Sequence, residues 1–218
     1  MRFIPPQTRP GKRLALGVLA SVGLAVALTV AAAMATPLPG DVAVARALQW
    51  WRAPWLDGLM RGVSFVGDDP LAIGGVLAVA GVLAILRRRP EAAAFLGVLA
   101  FDLALRLPKA LVDRPRPAED VVRVLESGTS GSFPSGHAFH AVLFWGLAIA
   151  IVVPRIRSAA LRRIATAGIL ALIAATAFSR IYLGAHWPTD VLGAAAYGVV
   201  ALAALVYAHR LLKAKKGE

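Results

Sequence analysis

The chain has 218 residues, of which 58% are hydrophobic and 17% are charged, and its mean hydropathy is +0.69. This composition excludes an ordinary soluble domain of this length and predicts an integral membrane protein. The net charge of +12 comes from short clusters between apolar runs, so we expect no nucleic-acid partner. The chain has no cysteine, which excludes disulfides, thiolate metal sites and cysteine nucleophiles.

Six apolar runs follow one another and predict an all-α fold, an integral membrane bundle of six transmembrane helices in a single domain over residues 1–218. With six spans, both termini lie on the same side of the membrane. The shorter runs need flanking residues to reach spanning length. The runs are Leu14–Ala35, Leu71–Leu86, Ala92–Leu107, Ala138–Val153, Leu161–Phe178 and Val191–Leu212.

The first run has two interpretations. A basic start, an apolar stretch and Ala33-Met34-Ala35 are also the pattern of a signal peptide with its cleavage site. The run has 22 residues, which exceeds the ~7 to 15 of a signal core. We therefore expect a retained helix.

The distribution of cations predicts the orientation. Fifteen of the 24 Lys and Arg residues lie on one side of the predicted bundle, and the positive-inside rule places that side in the cytoplasm. Residues 1–13 then form a cytoplasmic tail, and we expect a multi-pass protein of the bacterial inner membrane whose active site faces the periplasm or exterior. The clusters lie within residues 2–13, 87–89, 155–163 and 210–216.

Residues 36–69 form the predicted extracytoplasmic segment between the first two spans. Its tryptophans, Trp50, Trp51 and Trp55, predict an interfacial amphipathic helix, and a loop packed over the helix ends is the alternative. Asp68 and Asp69 together raise the question of a Mg²⁺ site. Because Pro70 suits a first helical position, we interpret Asp69 as a helix N-cap instead.

Four charged residues in and after the third run lie three or four positions apart, so an α-helix would place them on one face. Each charge inside a span costs about 2.5 to 3.5 kcal/mol, so this face should turn toward a polar interior. Asp102 and Arg106 are expected to pair in a structural role, with catalytic support as the alternative, and Pro108 to kink the helix. The following loop, residues 118–132, is either a solvated connection or a lid. The face consists of Asp102, Arg106, Lys109 and Asp113.

A histidine stands directly before the fourth run, in Pro134-Ser135-Gly136-His137. Ser135 and Gly136 are expected at a helix N-terminus, where free amides bind anions, although an ordinary N-cap turn would also explain Ser135. His137 has no acidic residue at a short spacing, which favours a proton donor over a nucleophile. His140 is at most a neighbour of this site, and His209 lies outside it.

The start of the sixth run holds a second histidine, His186, followed by Asp190. Pro188 suits the first helical position, so Asp190 falls in the first turn and its carboxylate can reach back to the imidazole. A carboxylate at one ring nitrogen fixes the tautomer and leaves the other nitrogen free to attack phosphorus. Taken alone, this pattern is also explained by an N-cap contact.

Three segments, in this order and at these spacings, resemble the signature motifs of the type 2 phosphatidic acid phosphatase superfamily, which includes vanadium haloperoxidases and bacterial acid phosphatases. They are Lys109 to Arg116-Pro117, Pro134 to His137, and Ser179-Arg180 to His186 and Asp190. The resemblance implies a bacterial membrane phosphatase with active-site segments at 108–137 and 179–190. It implies the catalytic residues His137, His186 and Asp190 and the phosphate ligands Lys109, Arg116, Ser135, Gly136 and Arg180.

The chemistry of these residues predicts a phosphohistidine on His186. His137 would protonate the leaving group and then activate water, and we expect neither metal nor cofactor. Arg114 is an additional cation, expected to bind a second phosphate. Membrane embedding indicates a lipid substrate: undecaprenyl diphosphate, slightly favoured by an outward site, phosphatidylglycerol phosphate or phosphatidic acid. The alternatives are a lipid phosphotransferase, a vanadate-dependent haloperoxidase and a non-enzymatic membrane protein such as a transporter.

Overall fold

The computed structural model describes residues 11–216, and within them every regular element is helical, as predicted. Between residues 11 and 216, nine α-helices follow one another, and α7 continues through a π-helical turn and a 3-10 turn to Arg155. Arg2 and Arg9, which belong to the predicted cytoplasmic tail, lie outside the described residues. The helices are α1 Lys12–Met34, α2 Asp41–Leu48, α3 Pro54–Phe65, α4 Asp69–Ile85, α5 Arg89–Ala104, α6 Arg106–Val112, α7 Gly136–Leu147, α8 Ala159–Tyr182 and α9 Pro188–Lys216.

Each of the six predicted apolar runs coincides with one helix: α1, α4, α5, α7, α8 and α9. Four helices are long and apolar enough to cross a membrane, namely α1, α7 with its extension, α8 and α9. The pair α3 and α4, bent by 51°, meets the same test and would make a fifth span. α5 has 16 residues, about 24 Å of helix, and is shorter than the usual spanning length. The described chain therefore has four to five candidate spans, and the sixth stays a prediction.

The third predicted run ends at Leu107, and Pro108 directly after it interrupts the helix. α5 ends at Ala104 because Pro108 has no amide to donate to the Ala104 carbonyl and its ring crowds that turn. The chain resumes as α6, which ends at Asp113 with a left-handed φ of 40°. The predicted kink is confirmed. It places Asp102 and Lys109 on two different helices.

The core forms where α7 and α9 pack against each other. Gly198 of α9 allows this approach, since a Cβ at that position would lie 2.8 Å from the Val142 side chain of α7. α1 covers another face of α9, and the hydroxyls of Thr29 and Tyr197 are 2.8 Å apart. α1 therefore packs against α9, and the retention of the first helix stays a prediction.

The loop over residues 118–132 is fixed to its surroundings. The Gln49 side-chain amide donates to the Arg123 carbonyl at 2.8 Å, and the Glu126 amide donates to the carbonyl of the residue that follows α8 at 3.1 Å. Gly184, with φ of +69°, leaves no room for a Cβ, which would lie 2.2 Å from the Arg123 carbonyl oxygen. The middle of the loop is therefore packed over the end of α8, while residues 118–120 and 127–130 are exposed, and the choice between a connection and a lid stays a prediction.

The predicted interfacial segment consists of two helices, α2 and α3, with exposed tryptophans around them. Trp50 is 89% exposed, Trp51 64% and Trp55 59%. The N-cap expected at Asp69 is one residue too late, because α4 begins at Asp69 and the preceding Asp68 is the capping residue.

Candidate active site

Two helix N-termini meet at the centre of the site. α7 begins at Gly136 and α9 at Pro188, as predicted. The Ser135 amide donates to the Asp190 carbonyl at 3.3 Å, which joins the second and third motifs. That amide is therefore not free for an anion, but the buried Ser135 hydroxyl has no hydrogen-bond partner among the described residues. A buried hydroxyl without a partner is costly unless a ligand engages it.

His186 lies in the turn between α8 and α9 and is 3% exposed. Its Nδ1 is 3.6 Å from the nearer Asp190 oxygen, and its Nε2 is 3.5 Å from an Arg116 nitrogen. Burial lowers the pKa of His186 to about 3. The imidazole is therefore neutral at working pH, which is the form that can act as a nucleophile.

Asp190 is held from several directions. One oxygen, Oδ2, accepts from the Trp187 amide at 2.8 Å and from the Ser132 hydroxyl. The other, Oδ1, accepts from Arg114 at 2.6 Å. The Asp190 side chain is completely buried. The carboxylate consequently has little freedom to turn away from His186.

Arg114 does not occupy the position that was expected of a second phosphate ligand. Its side chain is completely buried, and it bridges Asp190 and Asp41, whose Oδ2 lies 2.7 Å from the guanidinium. The remaining donors bond the hydroxyls of Thr189 and Thr36 at 2.8 and 3.1 Å. Its donors are thus engaged inside the protein, and the expectation of a second phosphate at Arg114 is wrong.

Lys109 and Arg116 approach the site from α6 and the segment after it. Lys109 Nζ donates to the Gly131 carbonyl at 2.7 Å, and burial together with the Arg116 charge lowers the pKa of Lys109 to about 8. Arg116 donates to the Ala185 carbonyl at 2.8 Å, beside His186. Burial and the charge of Arg180 lower the pKa of Arg116 as well. Lys109, Arg116 and Arg180 are thus three neighbouring cations in a partly buried site, which is a favourable environment for a phosphate dianion.

Arg180, the third cation, comes from the C-terminal turn of α8 and is 3% exposed. It donates to Glu126 at 2.7 Å and to the Ser64 hydroxyl. Its Nε is buried without a partner among the described residues. The Nε hydrogen of Arg180 is therefore left for a phosphate oxygen. Glu126, which no motif pointed to, belongs to the 118–132 loop and makes that loop part of the site.

His137 has an acidic partner that short-range spacing did not reveal. Its Nε2 is 3.0 Å from Asp68 Oδ1, and Asp68 stands 69 residues earlier, in the turn between α3 and α4. Gly67 lies against the same ring, so that a Cβ there would be 2.7 Å from His137 Cδ2. His137 therefore has a carboxylate partner, although none lies at a short spacing in the sequence.

Asp102 bonds His140 rather than Arg106. The distance from Asp102 Oδ2 to His140 Nδ1 is 2.8 Å, and the His140 ring stacks on Phe144 with centroids 5.5 Å apart. The break at Leu105 separates Asp102 from Arg106, which lie on two different helices, and Arg106 is exposed. His209 contacts Glu91 at the start of α5, at the opposite end from His186.

An apolar cavity of about 290 Å³ lies between α4, α7 and α8 and is open to both His137 and His140. Its other walls are formed largely by aliphatic and aromatic side chains, including Leu71, Phe144 and Trp145. On the polar side, ligand atoms of Asp68, Glu126 and His137 lie within 4.8 Å of one another, a grouping that could hold a metal ion. These atoms are already engaged by hydrogen bonds within the site.

Comparison with known proteins decides the family. The family model described as the PAP2 superfamily matches residues 91–213, more than half of the chain. The chain belongs to the PAP2 superfamily. Phosphatidylglycerophosphatase B of Bacillus subtilis is 27% identical over 164 residues, covering 73% of this chain and 78% of that protein. A decaprenylphosphoryl-5-phosphoribose phosphatase of Mycobacterium tuberculosis is 33% identical over 167 residues, covering 73% of this chain and 85% of the relative.

Two solved structures share the fold of this PAP2 protein. The transmembrane PAP2-type phosphatidylglycerolphosphate phosphatase of Bacillus subtilis superposes with a TM-score of 0.73 at 22% identity, over 88% of this chain and 93% of the other. Aquifex aeolicus LpxE superposes with a TM-score of 0.58 at 23% identity, over 78% and 97%. The relatives are membrane PAP2 phosphatases, which supports a phosphatase activity for this chain in a membrane.

Proposed function

We propose that this protein is an integral membrane phosphatase that hydrolyses a lipid phosphate through a phosphohistidine on His186. The observation that carries the proposal is the environment of that imidazole. Nδ1 lies 3.6 Å from the fixed Asp190 carboxylate, and Nε2 lies 3.5 Å from Arg116. The charges of Arg116 and Arg180 act on the imidazole, and both also act on Lys109. A neutral nucleophile beside cations that neutralise phosphate oxygens is what an in-line phosphoryl transfer needs.

The reaction proceeds in two steps. His186 Nε2 attacks phosphorus while the bond to the leaving oxygen breaks, and His137 gives its proton to that oxygen. His137, now neutral, takes a proton from water as the water oxygen attacks the phosphohistidine, and the phosphorus–nitrogen electron pair returns to His186. Lys109, Arg116 and Arg180 bind the equatorial oxygens in both steps. The products are an alcohol and inorganic phosphate, and no metal takes part.

The charges around the site favour a phosphate monoester over a diphosphate. Arg114, the cation expected to bind a second phosphate, is occupied by Asp41 and Asp190. On the leaving-group side, the carboxylates of Asp68 and Glu126 lie close to His137. A second phosphate group would meet these negative charges without a matching cation. This reverses the slight preference for undecaprenyl diphosphate and favours phosphatidylglycerol phosphate or phosphatidic acid.

The apolar cavity beside His137 supports a lipid substrate. It lies on the same side of His137 as α4 and is lined by groups such as Leu71 and Val79 that have no use in binding a water-soluble phosphate ester. Burial of a hydrocarbon chain there contributes about 0.8 kcal/mol per CH₂ group. A cavity of about 290 Å³ holds part of a chain, and the remainder would lie in the bilayer.

We further propose six spans with cytoplasmic termini, α5 being the remaining one, and an active site on the exterior of the bacterial inner membrane. The clusters at residues 87–89 and 155–163 support this orientation through the positive-inside rule. Ser130 is exposed and the chain has no cysteine, so Ser130→Cys offers one thiol at the proposed outer face. An impermeant maleimide should label it on intact cells, whereas labelling only after lysis would reverse the orientation.

Phosphate release by detergent-purified protein in EDTA tests the proposed function. The substrates are phosphatidylglycerol phosphate, phosphatidic acid and undecaprenyl diphosphate, and His186→Ala is the matched variant. We expect release from a monoester in EDTA, at a kcat/KM about tenfold or more above the diphosphate, a difference of about 1.4 kcal/mol, and none from the variant. Absence of release from every lipid, or loss of release in EDTA, would contradict the proposal.

A further inference from the structure

We propose that Asp68 is the positioning residue of His137: it orients the imidazole and stabilises its protonated form for donation to the leaving group. Asp68 lies outside all three motifs, and the inference rests on the proposed role of His137 as a proton donor. The contact that carries it is the 3.0 Å distance from Asp68 Oδ1 to His137 Nε2. A carboxylate at one imidazole nitrogen fixes the ring and favours the imidazolium over the neutral form.

The position of Asp68 in its own helix supports this assignment. Asp68 is the N-cap residue of α4, where an Asp side chain ordinarily accepts from an amide of the first turn. Here the side chain makes no capping bond to α4 and contacts His137 instead. The Asp68 carboxylate is thus committed to His137 instead of to the helix that it precedes.

Gly67 gives a second, steric reason. Its Cα faces the His137 ring so closely that a Cβ would lie 2.7 Å from Cδ2 and 3.3 Å from Cγ. The turn between α3 and α4 therefore holds the ring from two directions, through the hydrogen bond that Nε2 donates to Asp68 and through contact with Gly67. The ring nitrogen that does not contact Asp68 remains for the substrate.

The other charged groups near His137 do not take over this role. Glu126 lies nearby but is bonded to Arg180 at 2.7 Å and to the Ser64 hydroxyl at 3.0 Å. Arg180 carries a positive charge that disfavours the imidazolium. Among the described residues, Asp68 is thus the carboxylate that bonds His137 directly and offsets the charge of Arg180.

The proton balance shows what Asp68 does in the first step. As the phosphorus–oxygen bond breaks, its electron pair goes to the leaving oxygen, which takes the proton from the free nitrogen of the His137 imidazolium. His137 becomes neutral and keeps its Nε2 hydrogen in the bond to Asp68. Asp68 itself stays ionised. Its effect is therefore large when the leaving oxygen needs a proton and small when it does not.

The test is the dependence of kcat/KM on the leaving group, measured in detergent for Asp68→Asn. The probes are dihexanoyl phosphatidic acid, whose alkoxide must be protonated, and p-nitrophenyl phosphate, whose phenolate leaves without a proton. The ratio kcat/KM is used because it reports the first transfer and excludes phosphoenzyme hydrolysis. We expect about a hundredfold loss on the alkyl ester, at the lower end of general-acid effects, and less than threefold on the aryl ester.

Three controls make the outcome specific. Asp69→Asn removes the same charge from the adjacent, exposed residue and should leave both values within twofold of the wild type. Asp68→Glu keeps the carboxylate and should recover part of the loss. Gly67→Ala keeps Asp68 but displaces the ring, and it should show the same selective loss on the alkyl ester, which keeps the proposal testable if Asp68→Asn does not fold.

Equal losses on both esters in folded Asp68→Asn and Gly67→Ala, or no loss in either, would overturn the role of Asp68. Failure of the proposed function gives a different result, namely no phosphate release by the wild type or unchanged release by His186→Ala. A dead His186→Ala together with non-selective Asp68 and Gly67 variants would contradict this inference alone.

Discussion

The two histidines of the site are supported in different ways. His186 is buried, and the Asp190 carboxylate beside it is clamped by a fully buried network that includes Arg114 and Asp41. His137 is about 19% exposed in its side chain and depends on one hydrogen bond from a turn between helices. The proposed nucleophile, His186, is thus buried beside a fixed carboxylate. The proposed proton donor, His137, lies at the edge of the apolar cavity.

This difference matches the work proposed for each residue. A nucleophile must stay neutral and aligned with phosphorus, which burial and a fixed carboxylate provide. A proton donor has to exchange protons with water in every turnover, so it needs access to solvent and a partner that favours its charged form. Changes near His186 should therefore affect both stability and activity, whereas changes near His137 should affect activity alone.

The largest expected effect is the loss of His186. His186→Ala should lower phosphate release from phosphatidic acid by about a thousandfold or more, because the proposed covalent intermediate forms on this imidazole. His209→Asn changes a histidine at the opposite end of the bundle and should retain activity. Comparable losses in both variants would mean that misfolding rather than chemistry explains the first.

Next in size is the buried network behind Asp190. Asp41→Asn leaves the Arg114 charge poorly compensated, and breaking such a buried pair costs about 3 to 5 kcal/mol. Thermal denaturation in detergent should show a large loss of stability, accompanied by a lower kcat. Asp57→Asn breaks the more exposed pair with Arg123 and should cost about 1 kcal/mol or less. Similar melting temperatures for the two variants would contradict the comparison between buried and exposed pairs.

The pH dependence of kcat/KM should show a smaller effect. The pKa of Lys109 is lowered to about 8, so its ammonium is charged below that pH and is lost as the pH rises through it. We expect kcat/KM to fall above about pH 8, because one phosphate ligand loses its charge. Lys109→Arg keeps the charge throughout this range and should move the alkaline fall to higher pH. If the alkaline fall of kcat/KM occurs at the same pH in Lys109→Arg as in the wild type, another group is responsible for it.

The smallest effect is expected at Glu126, on the His137 side. Its carboxylate competes with the substrate phosphate for Arg180, so Glu126→Gln should lower KM for phosphatidic acid by about threefold, or about 0.7 kcal/mol. Glu119→Gln, an exposed change in the same loop, should leave KM as it is. A higher KM in Glu126→Gln would show that Glu126 positions Arg180 instead of competing with the phosphate.

What depends on local spacing was predictable from the sequence. The helix start at Pro188 places Asp190 next to His186, and the apolar runs predicted the principal helices, because hydrophobicity and capping act over a few residues. The N-cap of α4 was wrong by one residue, since Asp68 and Asp69 both suit that position and only the backbone distinguishes them: Asp68 is extended and its carbonyl accepts from the Ala72 amide.

Partners that are distant in sequence could not be predicted. Asp68 and His137 are 69 residues apart, and Arg114 and Asp41 are 73 apart, so only the packing of separate helices brings them together. Asp102 was expected to pair within its helix with Arg106, but His140 from α7 is the partner in the folded chain. Arg114 was expected to bind phosphate for the same reason: it is buried by contacts with α2 and α9, which are distant from it in the sequence.

The most direct test is to trap the phosphoenzyme with labelled phosphatidic acid and p-nitrophenyl phosphate, using an alkaline quench that preserves phosphohistidine. We expect label on the wild-type protein and none on His186→Ala. His137→Ala should accumulate label from the aryl ester, because it can form the intermediate but hydrolyses it slowly. Label on His186→Ala, or none on His137→Ala with the aryl ester, would contradict the assignment of His186 as nucleophile and His137 as proton donor.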